Sequence, residues 1–260
     1  MENNKCIQCG LCQRVCIGAI ELTENGPVID TEKCYRCGHC VAVCPVDAIE
    51  NPLSARQEEI LPLPSPKEAA NYLRSVRSIR EYKNETIPEE KIRELLDIGR
   101  YPQTGKNTQG ISYRVLCGRE KVEKLLELFI EEGIRIGKED PAFRGTAAVS
   151  MACRRRNQDI VFRGAPYLIA AIADENNPRA RESGQFALTF ISLLAPTMGL
   201  GTCWAGFFED LALSETYSAP FREFLNVPEG KKIAGVLMLG VPDVSYRRLV
   251  ERDPLDCELL

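Results

Sequence analysis

Cysteine carries the clearest chemistry in this chain, because eight of its twelve cysteines fall within the first 44 residues in two runs of the same spacing. Each run has three cysteines at intervals of three residues and a fourth cysteine four residues farther on. The first run is Cys6, Cys9, Cys12 and Cys16, and the second run is Cys34, Cys37, Cys40 and Cys44. Thiolate sulfur binds soft metals and iron–sulfur clusters, so the two runs predict a metal-binding module.

The spacing resembles that of bacterial ferredoxins, which hold two [4Fe–4S] clusters. In that arrangement the first three cysteines of a run bind one cluster, and the fourth binds the other because it lies too far along the chain to close the same cluster. The ligand sets are therefore expected to be Cys6, Cys9, Cys12 and Cys44 for one cluster, and Cys34, Cys37, Cys40 and Cys16 for the other. Pro45 follows the second run as the pattern expects, whereas Ile17 takes that place in the first.

Two other uses of cysteine fit the sequence less well. Zinc sites usually alternate C-x-x-C pairs and often recruit histidine, whereas the single histidine, His39, lies between two cysteines of the second run. A disulfide framework requires a secreted chain, and residues 1–5 contain no apolar signal segment. Eight cluster thiolates also imply a reducing compartment, so we expect a cytoplasmic protein.

Composition limits the remaining classes of function. The 260 residues suffice for a small and a medium domain, and the hydrophobic fraction of 44% with a mean hydropathy of −0.19 is ordinary for a globular protein. No apolar run approaches the length of about 18 residues that a membrane-spanning helix needs. The net charge of −4 argues against general nucleic-acid binding.

The sequence divides into two predicted domains and a linker. Residues 1–50 contain an internal repeat, since each cysteine run is followed by a short apolar segment, and the clusters would complete a core too small to be stable alone. Residues 51–67 form a proline-rich segment that favours a stiff, extended linker. Residues 68–260 have a mixed helix and strand pattern and form the second domain.

Hydrophobic patterning predicts the elements of this second domain. Helices are expected over residues 69–76, 88–99, 120–136 and 186–195. Strands are expected over residues 111–117, 167–173 and 233–239. Residues 137–163 lack a clear period and are expected to form a flexible cap that shapes the substrate pocket. The isolated cysteines are expected to be small buried side chains: Cys117, Cys153, Cys203 and Cys257.

Four short motifs in the second domain carry residues suited to a ligand. Segment 77–80 offers two arginines and a hydroxyl for a phosphate, and segment 104–107 offers small and amide-bearing residues for the polar edge of a ring. Glycines in segment 199–206 allow close approach of backbone to a flat ligand, without the G-x-G-x-x-G pattern of a Rossmann site. Segment 246–248 carries a second basic pair. Each motif alone is a weak signal.

Taken in this order, the motifs resemble those of the FMN-dependent nitroreductase family over about residues 68–256. The whole chain resembles the members with a fused N-terminal two-cluster ferredoxin. The resemblance implies an α+β fold with a mostly antiparallel sheet flanked by helices, preceded by the small ferredoxin-like domain. It also implies an intimate homodimer with FMN at two sites along the interface.

The match to the family assigns the basic motifs to the phosphate end of FMN. Arg77, Ser78 and Arg80 would hold the phosphate and the ribityl side. Either Arg247 or Arg248 would complete the phosphate site.

The other motifs are assigned to the flavin ring. Asn107, with Thr104 nearby, would contact the isoalloxazine edge, and backbone groups of Gly201 and Thr202 would face its reactive edge. The acidic residue that often precedes the cofactor helix in this family has its nearest match in Glu182.

The combination predicts a flavin-dependent oxidoreductase. Clusters move one electron at a time, and FMN accepts electrons singly and delivers a pair. The expected route therefore runs from reduced ferredoxin or a similar donor, through the clusters and FMN, to a small acceptor: a nitro compound, a quinone or an activated alkene. No separate nicotinamide-dinucleotide motif is visible, and no histidine acid–base catalyst is expected.

Several alternatives stay open from the sequence. NAD(P)H can reduce FMN without a dedicated motif by stacking in the substrate pocket, and the fold also hosts reductive dehalogenation and flavin destruction. A non-catalytic electron carrier or redox sensor fits the same cofactors, and a zinc-stabilised interaction module is the remotest reading. Trp204, Phe207 and Phe208 are expected in the core or a dimer interface, and Cys203 is expected to serve packing.

Overall fold

The computed structural model describes residues 5–54 and 57–260, which form two compact units. The first unit comprises Met1–Leu63 together with the loop Gly105–Thr108, and the second comprises Pro64–Thr104 with Gln109–Leu260. Residues 1–4, where we expected no signal segment, and residues 55–56 of the expected linker lie outside the described part of the chain. No helix of the described residues has the length and apolar character needed to cross a membrane.

The first unit is built on two copies of one short pattern. Its elements are helix α1 (Leu11–Val15), strands β1 (Ile20–Thr23) and β2 (Gly26–Ile29), and helix α2 (His39–Ala42). Strands β1 and β2 pair as an antiparallel hairpin. Its core consists of Cys12, Ile20, Cys40 and Ile49.

The two cysteine runs share a backbone conformation as well as a spacing. Gly10 precedes α1 and Gly38 precedes α2, both with φ of 73°. Gln8 and Arg36, two residues earlier in each run, also have positive φ, at 58° and 55°. Glycine adopts this left-handed conformation without strain, so each run turns tightly between its second and third cysteines.

The second unit contains a four-stranded sheet among its described residues. Its strands are β3 (Ser112–Cys117), β4 (Tyr167–Asp174), β5 (Gly201–Trp204) and β6 (Lys231–Gly240). The order is β3-β4-β6-β5, and every neighbouring pair is antiparallel, which confirms the expected antiparallel sheet. Strand β5 was not predicted, because its glycine-rich segment was interpreted only as a ligand-binding motif after a helix.

Helices cover both faces of this sheet. The helices of the second unit are α3 (Pro66–Ser75), α4 (Glu89–Asp97), α5 (Arg119–Glu139), α6 (Arg144–Arg156), α7 (Ala180–Leu194), α8 (Gly206–Ala212) and α9 (Ala219–Phe224). Short 3-10 turns occur at Ile98–Arg100, Gly105–Asn107, Pro141–Phe143 and Ala195–Met198. The expected arrangement of a sheet flanked by helices is therefore confirmed.

Strand β4 is apolar at nearly every position because it lies between two cores. Leu168 and Ile172 point to the core that contains α5 and α8 residues, whereas Ile169 and Ala171 point to the core that contains α4 and α7 residues. Alternate side chains of a strand face opposite sides of a sheet, so a centrally buried strand needs apolar residues on both.

The expectation of a flexible cap over residues 137–163 was wrong, because most of this segment is helical. Helix α5 extends to Glu139 and α6 spans Arg144–Arg156. A Cβ atom at Gly133 or Gly137 of α5 would collide with Ser150 or Ala147 of α6. The two helices thus pack through small residues, which carry little hydrophobic signal in a sequence.

The isolated cysteines follow the expectation only in part. Cys153 and Cys203 are buried, as predicted, whereas Cys117 and Cys257 are exposed. Cys117 is the last residue of β3, a strand at the edge of the sheet, and Cys257 lies in the C-terminal segment outside any helix or strand. Neither position has a second layer of structure to cover it.

Candidate cluster and ligand sites

Four cysteines from both runs line one cavity in the first unit. The cavity has a volume of about 20 Å³, and its sulfur-bearing residues are Cys6, Cys9, Cys12 and Cys44. The rest of its lining is largely apolar and includes Leu22 and Ile49. Although Cys44 is the last member of the second run, the fold brings it to the cavity of the first run.

Several cysteines of this unit are buried or partly buried, and some of their thiols accept backbone hydrogen bonds. Burial raises the pKa of the Cys12 thiol, because a thiolate loses hydration there; iron coordination would hold it as the thiolate. The amide of Ala48 donates to Cys44 Sγ at 3.2 Å, and the amide of Ala19 donates to Cys16 Sγ at 3.3 Å. These donors fit a negatively charged sulfur cluster.

Two cysteines of the second run, Cys34 and Cys40, lie near one amide side chain. Asn51 Nδ2 lies 3.6 Å from Cys34 Sγ and 3.8 Å from Cys40 Sγ. The backbone amide of Arg36 also donates to Cys34 Sγ, at 3.4 Å. Among the described residues, no three His, Cys, Asp or Glu side chains converge on a site for a single ion.

Asn107 belongs to the first unit, although it lies far along the chain. Its Nδ2 donates to the carbonyl oxygens of Tyr35 at 3.0 Å and Arg36 at 3.2 Å. The amide nitrogen that we expected at a ring edge therefore holds the backbone of the second cysteine run.

The second unit has an open pocket of about 330 Å³ beside α7 and β5. Its polar lining combines Arg77 and Ser78, which follow α3, with hydroxyls of Thr189, Ser192 and Thr202. The hydroxyl oxygens of Ser192 and Thr202 lie 2.7 Å apart and share a hydrogen bond. The remaining lining is apolar or sulfur-bearing: Leu73, Val76, Leu188, Leu193, Cys203, Trp204 and Leu237.

The segment after α3 is fixed against the edge of the sheet. The amide of Ile79 donates to the carbonyl of Thr202 at 2.9 Å, and Tyr82 Oη donates to the carbonyl of Ile79 at 2.7 Å. Tyr82 also forms an isolated bridge with Pro242. These bonds hold the two residues before Ile79, Arg77 and Ser78, next to β5.

A buried ion pair supports the wall of the pocket at Trp204. Trp204 Nε1 donates to Glu209 Oε2 at 3.1 Å, and Arg181 Nη2 donates to the same oxygen at 2.7 Å. The guanidinium carbon of Arg181 lies 5.3 Å from the centre of the Trp204 ring, within cation–π range. Glu209 Oε1 accepts from the amide of Val236 at 2.6 Å, and Arg181 also donates to the carbonyl of Ala234 at 3.0 Å.

The carboxyl group of Glu209 is unusual because only 5% of its side chain is exposed. Burial raises its pKa, and the hydrogen bonds from Arg181, Val236 and Trp204 act in the opposite direction. Both oxygens of the carboxylate accept hydrogen bonds, Oε2 from Arg181 and Trp204 and Oε1 from Val236, as a buried charge requires. The network therefore fixes the indole of Trp204 at the pocket.

Family models match most of the chain. Residues 73–241 match the model of the nitroreductase family. The chain belongs to the nitroreductase family. Residues 5–48 match the model of the 4Fe-4S dicluster domain, so a nitroreductase domain follows a ferredoxin-type region, as the sequence predicted. No curated protein matches the chain.

Solved structures share the fold of the nitroreductase domain. A nitroreductase with bound FMN from Bacteroides fragilis NCTC 9343 has a TM-score of 0.59 at 19% identity, covering 74% of this chain and 99% of that chain. A nitroreductase with bound FMN from Desulfitobacterium hafniense DCB-2 has 0.55 at 20%, covering 74% and 98%. A BluB-like flavoprotein from Clostridium difficile 630 has 0.54 at 19%, with the same coverage. At these identities the likeness shows the fold.

The structure brings together some of the residues that the family resemblance singled out. Arg77, Ser78 and Thr202 line one pocket of the nitroreductase domain. Gly201 is their neighbour, but a Cβ atom there would collide with Ile79 and Pro242. On that side of Gly201, the close approach is therefore to protein.

The other residues of that set lie outside the pocket lining. Arg80, Arg247 and Arg248 are exposed, and the ring of Tyr246 lies 5.4 Å from the guanidinium carbon of Arg77. Thr104 Oγ1 accepts from the amide of Gln109 at 3.0 Å, within its own loop.

The acidic residue matched to the family, Glu182, forms an exposed ion pair. Its partner is Arg179, at 3.0 Å in the first turn of α7. The next residue toward the N-terminus, Arg181, is the one that reaches the buried network.

Sequence reasoning missed several residues of the pocket. Thr189 and Ser192 are spaced three apart on the otherwise apolar C-terminal half of α7, and that spacing places two hydroxyls on one helical face. This signal was available in the sequence. Glu209 and Arg181 gave no signal, because charged residues on helices usually face water.

Proposed function

We propose that the protein is a flavin-dependent oxidoreductase in which two [4Fe–4S] clusters and FMN carry electrons from reduced ferredoxin, or a similar donor, to a small acceptor. The acceptor class is a nitro compound, a quinone or an activated alkene. The single observation that carries the proposal is that a chain of the nitroreductase family also has four cysteines around one cavity. A reducing compartment, the cytoplasm, suits such thiolates.

The cysteines divide into the two ligand sets expected from the ferredoxin spacing. One set is Cys6, Cys9, Cys12 and Cys44, and the other is Cys34, Cys37, Cys40 and Cys16. Their support is the common cavity of the first set and the shared amide contact of Cys34 and Cys40 in the second. A cavity with four thiols and apolar walls has the donor set of a cubane cluster.

The pocket of the nitroreductase domain has the size and chemistry to hold FMN. Its volume lies in the range of ordinary ligand sites, about 300 to 1,000 Å³. Arg77 and Ser78 would bind the phosphate, Thr202 would meet the ring edge, and Trp204 would exclude water from the ring. The further contacts proposed from the family match are Arg80, Thr104, Asn107, Gly201, Arg247 and Arg248.

The protein positions the electron carriers and the substrate, whereas the cofactors supply the redox chemistry. When bound, FMN converts the single electrons that clusters supply into the pair that the acceptor takes. The hydroxyls of Ser192 and Thr202 would orient the ligand that lies against them. The ion pair of Arg181 and Glu209 keeps the Trp204 wall of the pocket fixed. We further propose a homodimer, which the exposed Phe186 and Phe190 one turn apart on α7 would favour.

The deciding experiment compares electron donors. The holoprotein, loaded with iron–sulfur clusters and FMN, is mixed anaerobically with reduced ferredoxin, NADH or NADPH, and the flavin absorbance is followed. Fast bleaching by ferredoxin alone, followed by turnover of a nitro compound, quinone or alkene, supports the proposal. Fast bleaching by NAD(P)H that survives replacement of the cluster cysteines contradicts it, and bleaching without turnover favours an electron carrier.

Arg77 should carry much of the affinity for FMN. Because a hydrogen bond to a charged group contributes about 1.5–3 kcal/mol, Arg77→Ala should weaken FMN binding roughly 10- to 100-fold. Trp204 is the single tryptophan of the chain and lines the same pocket, so quenching of its fluorescence during FMN titration measures the affinity directly.

The matched control for this measurement is Arg155→Ala. Arg155 is exposed on α6 and does not line the pocket, so its replacement should leave the quenching curve unchanged. An Arg77→Ala protein that binds FMN as tightly as the Arg155→Ala protein would show that the phosphate lies elsewhere.

A further inference from the structure

The internal repeat of the first unit makes Leu22 and Asn51 corresponding positions. Ala19-Ile20-Glu21 precedes Leu22, and Ala48-Ile49-Glu50 precedes Asn51. The structure supports this alignment. Each alanine amide donates to the last cysteine of its run, and each isoleucine is buried, at 7% and 8% exposure.

The two corresponding residues offer different groups to the cysteines beside them, an apolar side chain from Leu22 and an N–H donor from Asn51. Leu22 lines the cavity of Cys6, Cys9, Cys12 and Cys44 with an apolar side chain. Asn51 directs its Nδ2 at two sulfurs of the second run, at 3.6 and 3.8 Å.

The orientation of the Asn51 amide is fixed by its other end. Its Oδ1 accepts from the amide of Leu53 at 3.0 Å, so Nδ2 faces the sulfurs. The chain turns at the same place, because the amide of Ser54 donates to the carbonyl of Asn51 at 2.9 Å. The donor is therefore held in place by its own turn.

Hydrogen bonds to cluster sulfurs change reduction potentials. Reduction adds one electron to a cluster and makes its sulfurs more negative, so an N–H donor stabilises the reduced form more than the oxidised form. An apolar neighbour offers no such stabilisation and keeps water away. The two residues at these equivalent positions should therefore give the two clusters different reduction potentials.

We propose that Asn51 makes the cluster of Cys34, Cys37, Cys40 and Cys16 the higher-potential cluster of the two, and that Leu22 keeps the cluster of the other set lower. The inference rests on the two cluster-ligand sets of the proposed function. The reaction is a one-electron transfer in which a reductant such as dithionite or reduced ferredoxin loses one electron and the cluster gains it, with no bond made or broken. The first electron to enter the pair of clusters therefore resides beside Asn51.

The test exchanges the two residues in the full-length holoprotein. Midpoints of both clusters are measured by redox titration with electron paramagnetic resonance detection in the wild type, in Asn51→Leu and in the reciprocal variant Leu22→Asn. Asn51→Leu should lower the reduced-to-oxidised ratio of the higher-potential cluster at least tenfold at a fixed potential, which is about 59 mV for one electron. Leu22→Asn should raise that ratio for the lower-potential cluster and leave the other unchanged.

A second variant covers the case in which Asn51→Leu does not assemble. Asn51→Asp keeps the size and the acceptor for Leu53 but has no N–H, so it should shift the same midpoint in the same direction. Unshifted midpoints in either assembled variant, or a shift confined to the lower-potential cluster, would overturn the inference. Absence of bound iron–sulfur clusters from the wild-type protein would instead overturn the proposed function.

Discussion

Replacing Cys44 by alanine should remove the cluster of the first cysteine run and leave that of the second. Cys44 is the last cysteine of the second run in sequence, yet it lines the cavity of Cys6, Cys9 and Cys12. Since each [4Fe–4S] cluster needs its four thiolates, the variant should lose about half of its iron. Ferredoxin-driven bleaching of the flavin should fall to the rate seen with free FMN if this cluster lies on the route.

The informative comparison is with Cys16→Ala. Cys16 is the last cysteine of the first run and is proposed to bind the other cluster, so Cys16→Ala should remove the paramagnetic signal that survives in Cys44→Ala. Iron analysis and electron paramagnetic resonance of the two proteins show which cluster each variant has lost. If both variants lose the same signal, the crossed ligand sets are wrong.

Cys153→Ala is the control for general damage. Cys153 is buried at 2% exposure in the second unit, away from every cysteine of the two runs in sequence. Its replacement should leave iron content and both signals intact. A loss of iron in this control would mean that the effect of Cys44→Ala reports misfolding.

The sequence was sufficient to predict the cysteine module because its information is local. Intervals of three residues and the positive-φ glycines Gly10 and Gly38 act within a few residues, so they are visible without knowledge of the fold. The donor from Asn51 to Cys34 spans 17 residues. It was missed because Asn51 looked like the first residue of a linker, and a fixed amide orientation can be read only from coordinates.

Prediction of the pocket in the second domain was limited in the same way. Arg77 and Ser78 were visible as a basic motif, but their placement depends on a bond from Ile79 to Thr202, more than a hundred residues away. Gly201 was assigned to a ligand because glycine permits close approach. The packing of Ile79 and Pro242 against one side of it can be seen only in the folded chain. The features that could not be predicted from the sequence therefore depend on contacts between residues that lie far apart along the chain.

Removing the carboxylate of Glu209 should destabilise the nitroreductase domain more than any other replacement of a charged side chain described above. Glu209→Ala leaves Arg181 without its ion pair and the N–H groups of Val236 and Trp204 without their acceptor. Breaking a buried pair costs about 3–5 kcal/mol, and the lower end applies because the Arg181 side chain is 41% exposed and can recover water. Urea unfolding followed by Trp204 fluorescence measures the loss.

The neighbouring ion pair on α7 provides the matched control. Glu182 and Arg179 are joined at 3.0 Å, but their side chains are 46% and 71% exposed. An exposed pair contributes little because water already solvates both charges, so Glu182→Ala should leave the free energy of unfolding nearly unchanged. Equal losses in the two variants would show that burial of Glu209 does not set its contribution.

The same comparison separates a structural role of Glu209 from a role at the pocket. Trp204 reaches the pocket lining and donates its N–H to Glu209, so loss of the acceptor should also free the indole to move. At urea-free conditions where Glu209→Ala is still folded, the emission of Trp204 should shift to longer wavelength and FMN should quench it less. Glu182→Ala should show neither change. If Glu209→Ala lost stability but kept the emission and quenching of the wild type, the carboxylate would stabilise the domain without holding the wall of the pocket.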